Sequence, residues 1–402
     1  MRILLILKYI PSRTVDLKGD LLWSVFEALE SAGVNVTLLT DGKVASNEKE
    51  CIKIRYHWAL KLIERIANKI ARFIRCPSIE YFILRHRAYL AVAEFHRKHP
   101  IDAVVSECTS FTPAIIANEV HKRLGLPYVI REHQNYESRI NSLNNVPVSY
   151  IKSIKNAQRV AAVSEGQAQT IRNTGIRDDI AVIPNPLSRF FFTYPLEGEI
   201  HQQTRRVREL KKAGIVFGAW TRWRHIKRLD LLIEAFSAAF KRNNQIRLVI
   251  AGPVEIDLEE IFQSPHWEPI ADAVQFLGPA TRQDIHRLAF SVDCIVVPSD
   301  FETFALPVVE GMAAGKPAIV TRCNGPEGLI PDSRFGLVVD RGSCDQLAES
   351  ILYMADHLSH FDRDLIRAHA IELYRTDRIG ERYVRLISSA IIDLTGSSGI
   401  EE

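Results

Sequence analysis

The chain has little of what marks many functional classes. Its six cysteines, Cys51, Cys76, Cys108, Cys294, Cys323 and Cys344, are scattered among 402 residues with no C-x-x-C spacing. Several fall in apolar, strand-like runs, so they read as buried reduced thiols in a cytoplasmic protein. No apolar run reaches the roughly 18–20 residues of a transmembrane helix. The opening Met-Arg-Ile-Leu-Leu-Ile-Leu-Lys8 lacks a small-residue cleavage site and is broken by a lysine, so it reads as a buried first strand. Net charge is only +3, too small to argue for nucleic acid. No G-x-G-x-x-G follows any strand, which excludes an ordinary dinucleotide oxidoreductase. No H-E-x-x-H, cysteine cluster or acidic pair reads as a metal site, so neither metal nor cofactor is expected. No internal repeat stands out.

What is present is a normal globular composition, 47% hydrophobic and 25% charged, in a length that suits two domains. Residues 299–330 carry the chemistry: S-D-F-E-T-F-A-L-P-V-V-E-G-M-A-A-G-K-P-A-I-V-T-R-C-N-G-P-E-G-L-I. An apolar strand over 294–298 runs out into a loop with Glu302. A helix over 306–314 then carries Glu310, Gly315 stops it, and a second strand covers 317–321. Open α/β sheets bind ligands at the carboxyl edge where such loops lie, and free N–H groups at a helix start suit phosphate. Glu302 can reach over a ligand held there. Glu310, inside the helix, suits a cis-diol such as ribose, because one carboxylate accepts two hydroxyl hydrogen bonds. The blander reading, a crossover with two solvated glutamates, stands about even for either residue alone and is weakened by the pair.

In this spacing the chain resembles the retaining GT4 glycosyltransferases: Glu302-x7-Glu310 lies within S-x-x-E-x-F-x-L-x-x-x-E-x-x-A-x-G-x-P. Asn324-Gly-Pro-Glu327 stands where many members carry Gly-Gly-Pro-Glu. The resemblance covers most of the carboxyl half and, more loosely, the amino half. It implies the GT-B architecture: α/β, two Rossmann-like doubly wound domains facing each other across a cleft. The expected boundaries are an acceptor-side domain at 1–187, a linker at 188–213, a nucleotide-sugar domain at 214–375, and a helix at 376–402 crossing back to the first.

The resemblance also distributes roles. Arg222 and Lys227 match the family's G-R-x(4)-K, with Arg228 where glycine is common. As two cations at a strand end they can clamp a diphosphate, Arg as a planar fork and Lys as a point charge. The backbone N–H groups around Phe304, Ala305 and Leu306 would stabilise the departing diphosphate. Gly278, in the Phe276-Leu-Gly-Pro279 turn, falls where relatives hold the base. His133, delivered by the strand at 127–131, takes the place of a donor-contacting histidine, and Glu107 ends its strand similarly as a weaker candidate. In the first loop only Gly19 replaces the family's glycine pair, with Lys18 beside it. The implied activity is hexosyl or N-acetylhexosaminyl transfer from a nucleotide sugar, a UDP-sugar by commonness, to a glycan or lipid-linked acceptor of a bacterial surface polysaccharide. Catalytic contacts would come from His133, Glu302, Arg222 and Lys227. Two rivals are a non-catalytic nucleotide-sugar-binding subunit and a GT-B phosphorylase or epimerase.

One stretch breaks the α/β rhythm. Residues 53–87 hold nine Lys or Arg against two glutamates. Ala59, Leu62, Ile63, Ile66, Ile70, Phe73 and Ile74 recur at helical spacing, with Lys61, Arg65, Lys69 and Arg72 on another face. Two readings stand: a basic amphipathic helix on the inner face of the cytoplasmic membrane, or a core-facing stripe with solvated cations.

Overall fold

The computed structural model describes residues 1–7, 17–40, 51–53, 78–134, 146–195 and 202–396. The basic stretch at 54–77 therefore lies outside the described residues. The chain divides into two compact units: Met1–Pro184 with Thr376–Glu402, and Asn185–Arg375.

The first unit is built on seven parallel strands: β1 (Arg2–Ile6), β2 (Asn35–Thr40), β3 (Cys51–Lys53), β4 (Ala103–Cys108), β5 (Tyr128–Glu132), β6 (Arg159–Ala162) and β7 (Ile180–Val182). They lie in the order β3-β2-β1-β4-β5-β6-β7. Helices α1 (Leu17–Ser31), α2 (Ser78–Lys98), α3 (Thr112–Leu124), α4 (Val148–Asn156) and α5 (Glu165–Arg172) connect them. β4 and β5 are buried along their whole length; Ala103–Val105 and Tyr128–Ile130 show the apolar run of strands covered on both faces, while Ser106, Glu107, Arg131 and Glu132 at their carboxyl ends are buried polar groups. One face packs Ala88, Val92, Ile116, Tyr150 and their neighbours from α2, α3 and α4. The other packs Val25, Ala28 and Leu29 of α1 with Ile379, Tyr383, Ile387 and Ala390 of the last helix, Thr376–Gly396. Gly380 permits that contact: a Cβ there would sit 2.0 Å from the carbonyl oxygen of Ala28.

The second unit repeats the plan with six parallel strands: β8 (Ile215–Trp220), β9 (Ile246–Ala251), β10 (Val274–Gly278), β11 (Cys294–Val297), β12 (Ala318–Thr321) and β13 (Gly336–Val339). Their order is β10-β9-β8-β11-β12-β13. Its helices are α6 (Gln202–Lys212), α7 (Leu229–Arg242), α8 (Leu258–Phe262), α9 (Arg282–Ser291), α10 (Leu306–Ala313), α11 (Cys344–His357) and α12 (Arg363–Tyr374); α13 is the Thr376–Gly396 helix of the first unit. From β8 the chain winds outward through β9 and β10, then returns to place β11 on the other side of β8. The crevice between β8 and β11 is thus the switch point where doubly wound sheets take ligands.

Two expectations need correction. Residues 188–213 belong to the second unit rather than forming a linker: a 3-10 turn at Arg189–Phe192 buries Phe191, and α6 buries Val207. Only Val207 and Leu210 are apolar in α6, so its polar composition hid a helix that needs one narrow contact stripe. Lys18 and Gly19, expected in a loop, lie in the first turn of α1. Cys108, Cys294 and Cys323 are free and buried, and burial pushes the Cys108 and Cys294 thiols well above their usual range. Among the described residues no helix is long and apolar enough to cross a membrane.

Candidate active site

The switch point of the second sheet is closed by two loops. One follows β8 and runs through Arg222 to a 3-10 turn at His225–Lys227; the other follows β11 and carries Glu302. They are stitched together. Asp300 N donates to Ile226 O at 2.9 Å, and Arg228 bridges Asp230 and Asp300 at 3.0 and 3.1 Å. Arg228 adopts φ 54, the left-handed region where glycine is least strained. Its guanidinium offsets that strain by joining the two loops.

At the centre, Lys227 Nζ lies 2.5 Å from Glu302 Oε1, with both side chains largely buried. Ser299 Oγ also donates to that oxygen, and Glu302 N donates to Cys323 O at 3.2 Å. A lysine and a glutamate from different loops thus meet where a ligand would enter. Arg222 is not part of this pair: its guanidinium is exposed and binds Glu255 at 2.7 Å. The anchor of that loop is Trp223, fully buried, whose Nε1–H donates to Ala251 O at 2.9 Å.

The loop beyond Glu302 is shaped by its backbone. Ala305, just before α10, has φ 75, and Pro307 stands in the first turn. Among the described residues, nothing accepts from the N–H groups of Phe304, Ala305 and Leu306. Phe304 is buried with its ring edge against Tyr374. The Asn324-Gly-Pro-Glu327 turn holds this loop from the side. Glu327 accepts from Cys323 N and Asn324 N at 3.1 and 2.9 Å, and a Cβ on Gly325 would come within 2.7 Å of Phe304 N. Asn324 has φ 93, which accounts for the glycine common at this place in the family. Gly278 ends β10 at φ 71, and its carbonyl accepts from Gly252 N at 2.7 Å.

Glu310 is buried, and both its oxygens are engaged. Trp220 Nε1–H donates to Oε2 at 2.6 Å, while the Arg282 guanidinium donates to Oε1. Arg282 also stacks over the Phe191 ring, 4.4 Å from its centroid. Sequence reasoning missed both partners. Arg282 follows the capping-box Thr281 of α9, a signal for a helix start but not for where the arginine points.

In the first unit, His133 lies just past β5, buried beside Glu107 of β4. Its Nε2 is 2.6 Å from Glu107 Oε2, and Arg131 donates to the same oxygen at 2.8 Å. Tyr383 of α13 donates to the other oxygen, Oε1, at 2.5 Å, and Arg131 Nε donates to Ile183 O at 3.0 Å. Burial by itself raises a carboxyl pKa, but here the Arg131 charge and the bonds from His133 and Tyr383 outweigh it. Glu107 is held at about 2. Burial, and then the Arg131 charge, lower the pKa of His133 against the opposing pull of Glu107, so the ring is neutral near pH 7.

Comparison with known proteins follows the same two units. The Glycosyltransferase Family 4 profile matches residues 21–188, and the Glycosyl transferases group 1 profile matches residues 212–357. The chain belongs to the GT4-type glycosyltransferases. Among curated relatives of this GT4 chain, the alpha-monoglucosyldiacylglycerol synthase of Streptococcus pneumoniae is 24% identical over 286 residues, 66% of this chain and 63% of the relative. The D-inositol 3-phosphate glycosyltransferase of Gordonia bronchialis is 29% identical over 181 residues, 41% of this chain and 39% of the relative. The match thus spans less than two-thirds of the length of these relatives. Among solved structures, Anabaena HepE in complex with UDP superposes with a TM-score of 0.69 at 17% identity, covering 97% of this chain and 100% of that one. The apo lipopolysaccharide outer core galactosyltransferase WaaB does so with 0.67 at 17% identity, covering 97% and 99%. The fold is GT-B.

Proposed function

We propose that this GT4 chain transfers a sugar from a nucleoside-diphosphate sugar, a UDP-sugar, to a hydroxyl of a glycan or lipid-linked acceptor, with retention at the anomeric carbon. The observation that carries the reading is the Lys227–Glu302 pair at the β8/β11 switch point. Breaking the anomeric bond leaves an electron pair on the diphosphate. Catalysis then calls for fixed positive groups and N–H dipoles at that oxygen. Lys227 supplies the charge, the N–H groups of Phe304, Ala305 and Leu306 supply dipoles, and Arg222 is free to exchange its exposed partner for phosphate. Glu302, freed as Lys227 turns to the diphosphate, accepts hydroxyls of the donor sugar. Glu310 takes the ribose, Gly278 lines the base turn, and His133 meets a sugar hydroxyl. For Gly19, in the first turn of α1, the reading keeps only a place near substrate.

The UDP choice is supported by HepE, solved with UDP and with UDP-glucose. The acceptor choice is supported by two names, an alpha-monoglucosyldiacylglycerol synthase and a lipopolysaccharide outer core galactosyltransferase. A role in bacterial surface polysaccharide synthesis, at the inner face of the cytoplasmic membrane, follows from that choice.

Thermal shift with UDP-, GDP- and ADP-sugars tests the donor. A ligand at 100 times its Kd adds about 2.7 kcal/mol of stability. A shift with UDP-sugars, followed by donor turnover, is expected. No shift with any nucleotide sugar rejects the reading, while binding without turnover points to the non-catalytic subunit.

A further inference from the structure

Buried between β4, β5 and α13 is a polar cluster that the proposed reaction leaves unused except for one ring. Glu107 accepts from three side chains: Arg131 and His133 share Oε2, and Tyr383 takes Oε1. Its carboxyl is ionised over the whole working range, so it has no proton to give. The 2.6 Å contact with His133 Nε2 therefore requires the proton on that nitrogen. Arg131 also comes within 3.0 Å of Nε2, as a fellow donor aimed at the same carboxylate oxygen. With Nε2 protonated and the ring neutral, Nδ1 carries a bare lone pair. Among the described residues, none donates to Nδ1.

The other groups around the ring leave this assignment alone. Glu132 turns its carboxylate to Tyr150 and to the N–H groups of His133 and Gln134. Cys108 and Tyr383 are held protonated by burial. Arg131 is fully buried and fixed from its other side by Ile183 O. Glu107 is thus gripped on both oxygens and cannot turn away without breaking two bonds to residues from two other elements.

We propose that Glu107 is a positioning residue: held by Arg131 and Tyr383, it fixes His133 with its proton on Nε2, so that Nδ1 is an acceptor offered to a substrate hydroxyl. This rests on the reading of His133 as a sugar contact and gives that contact a direction. The ligand must donate at Nδ1. A sugar hydroxyl does so, whereas a carbonyl or a phosphate oxygen finds a lone pair facing its own. A donor sugar lacking the hydroxyl at that position loses the bond, while one with its stereochemistry reversed there points the donor elsewhere.

The test reads the proton itself. Protein labelled with ¹⁵N at histidine is studied near pH 7, with His133 assigned by the loss of its signals in His133→Asn. A protonated Nε2 and a bare Nδ1 are expected. A proton on Nδ1, or on both nitrogens, overturns the proposal. Two neutral variants then separate the hydrogen bond from the lost charge. Glu107→Gln keeps a carbonyl for Nε2–H and retains the tautomer and most of the turnover. Glu107→Met removes the acceptor and loses the tautomer, with kcat lower by roughly tenfold to a hundredfold. Equal turnover in the two folded variants also overturns it. Should Glu107→Met fail to fold, the wild-type spectrum decides. That spectrum needs no substrate, so a wild type without donor turnover rejects the transferase reading and still reports the tautomer.

Discussion

Trp220 and Glu310 meet across the second unit, indole to carboxylate at 2.6 Å, one at the end of β8 and the other inside α10. Arg282 holds the remaining oxygen, so the carboxylate assigned to the ribose is paired before any nucleotide arrives. Its orientation is set by this pairing, which costs the ribose a competition with Arg282. Losing a hydrogen bond to a charged group typically costs about 1.5–3 kcal/mol. Glu310→Gln keeps an acceptor for Trp220 and should weaken free UDP roughly tenfold to a hundredfold. Glu302→Gln should leave UDP affinity near wild type and lower turnover. Calorimetry giving Glu310→Gln the wild-type UDP affinity removes the ribose assignment.

The phosphate site proposed here is built from protein cations, Lys227 with Arg222 at its rim. Transfer should therefore continue after exhaustive EDTA treatment. Loss of activity that returns with added Mg²⁺ or Mn²⁺ contradicts this, and Lys227→Met in place of chelation should cost far more than EDTA does.

Glu107 links the first unit's stability to acid. Its folded pKa of about 2 lies below the ordinary 4.5, so in that window the unfolded chain binds more protons. Stability is then fully present above about 4.5 and is lost as pH falls toward 2, by an amount on the order of 3 kcal/mol. His133 adds to the same slope at higher pH, since its lowered pKa favours the folded state above 6.5. Denaturant titrations of wild type and Glu107→Gln from pH 7 to pH 3 check the sign. The two stability curves should converge as pH falls; parallel curves refute the assignment.

Much of this was legible beforehand because it depends on local pattern. Glu302-x7-Glu310 placed one carboxylate before a helix and one inside it, and the strand ends carried Lys227 and His133 to a sheet edge. Pairing was not legible. Arg282 and Trp220 reach Glu310 only because β8 pairs with β11 and α9 packs beside α10 in the folded unit. Tyr383 sits in the apolar stripe of α13 and shows its hydroxyl's purpose only against Glu107. The three-residue strand β3 and the polar helix α6 escaped because each has too few apolar positions to display a period.

The basic stretch at 53–87 makes a separate prediction. Polybasic attraction gives about 1 kcal/mol per cation near an anionic surface. Only part of the nine can face one plane, so apolar insertion would have to supply the rest of the hold, and salt alone should release the protein incompletely. Flotation with anionic vesicles is the assay. Reversing charge at Lys61, Arg65, Lys69 and Arg72 should weaken binding by a folded protein. Unchanged binding, or none by wild type, leaves the stripe to the core.

The packing of α13 on α1 has a consequence for biosynthesis. Gly380 and Tyr383 complete an apolar face and a buried carboxylate that the first 184 residues cannot complete alone. The second unit is contiguous and can close as soon as Arg375 has left the ribosome. The first must wait, its α1 face uncovered, until the last helix has been made. The usual amino-first order of folding is therefore closed to the first unit, whose two segments bracket the second. A stop codon shortly after Arg375 would spare the second unit and expose the first to aggregation.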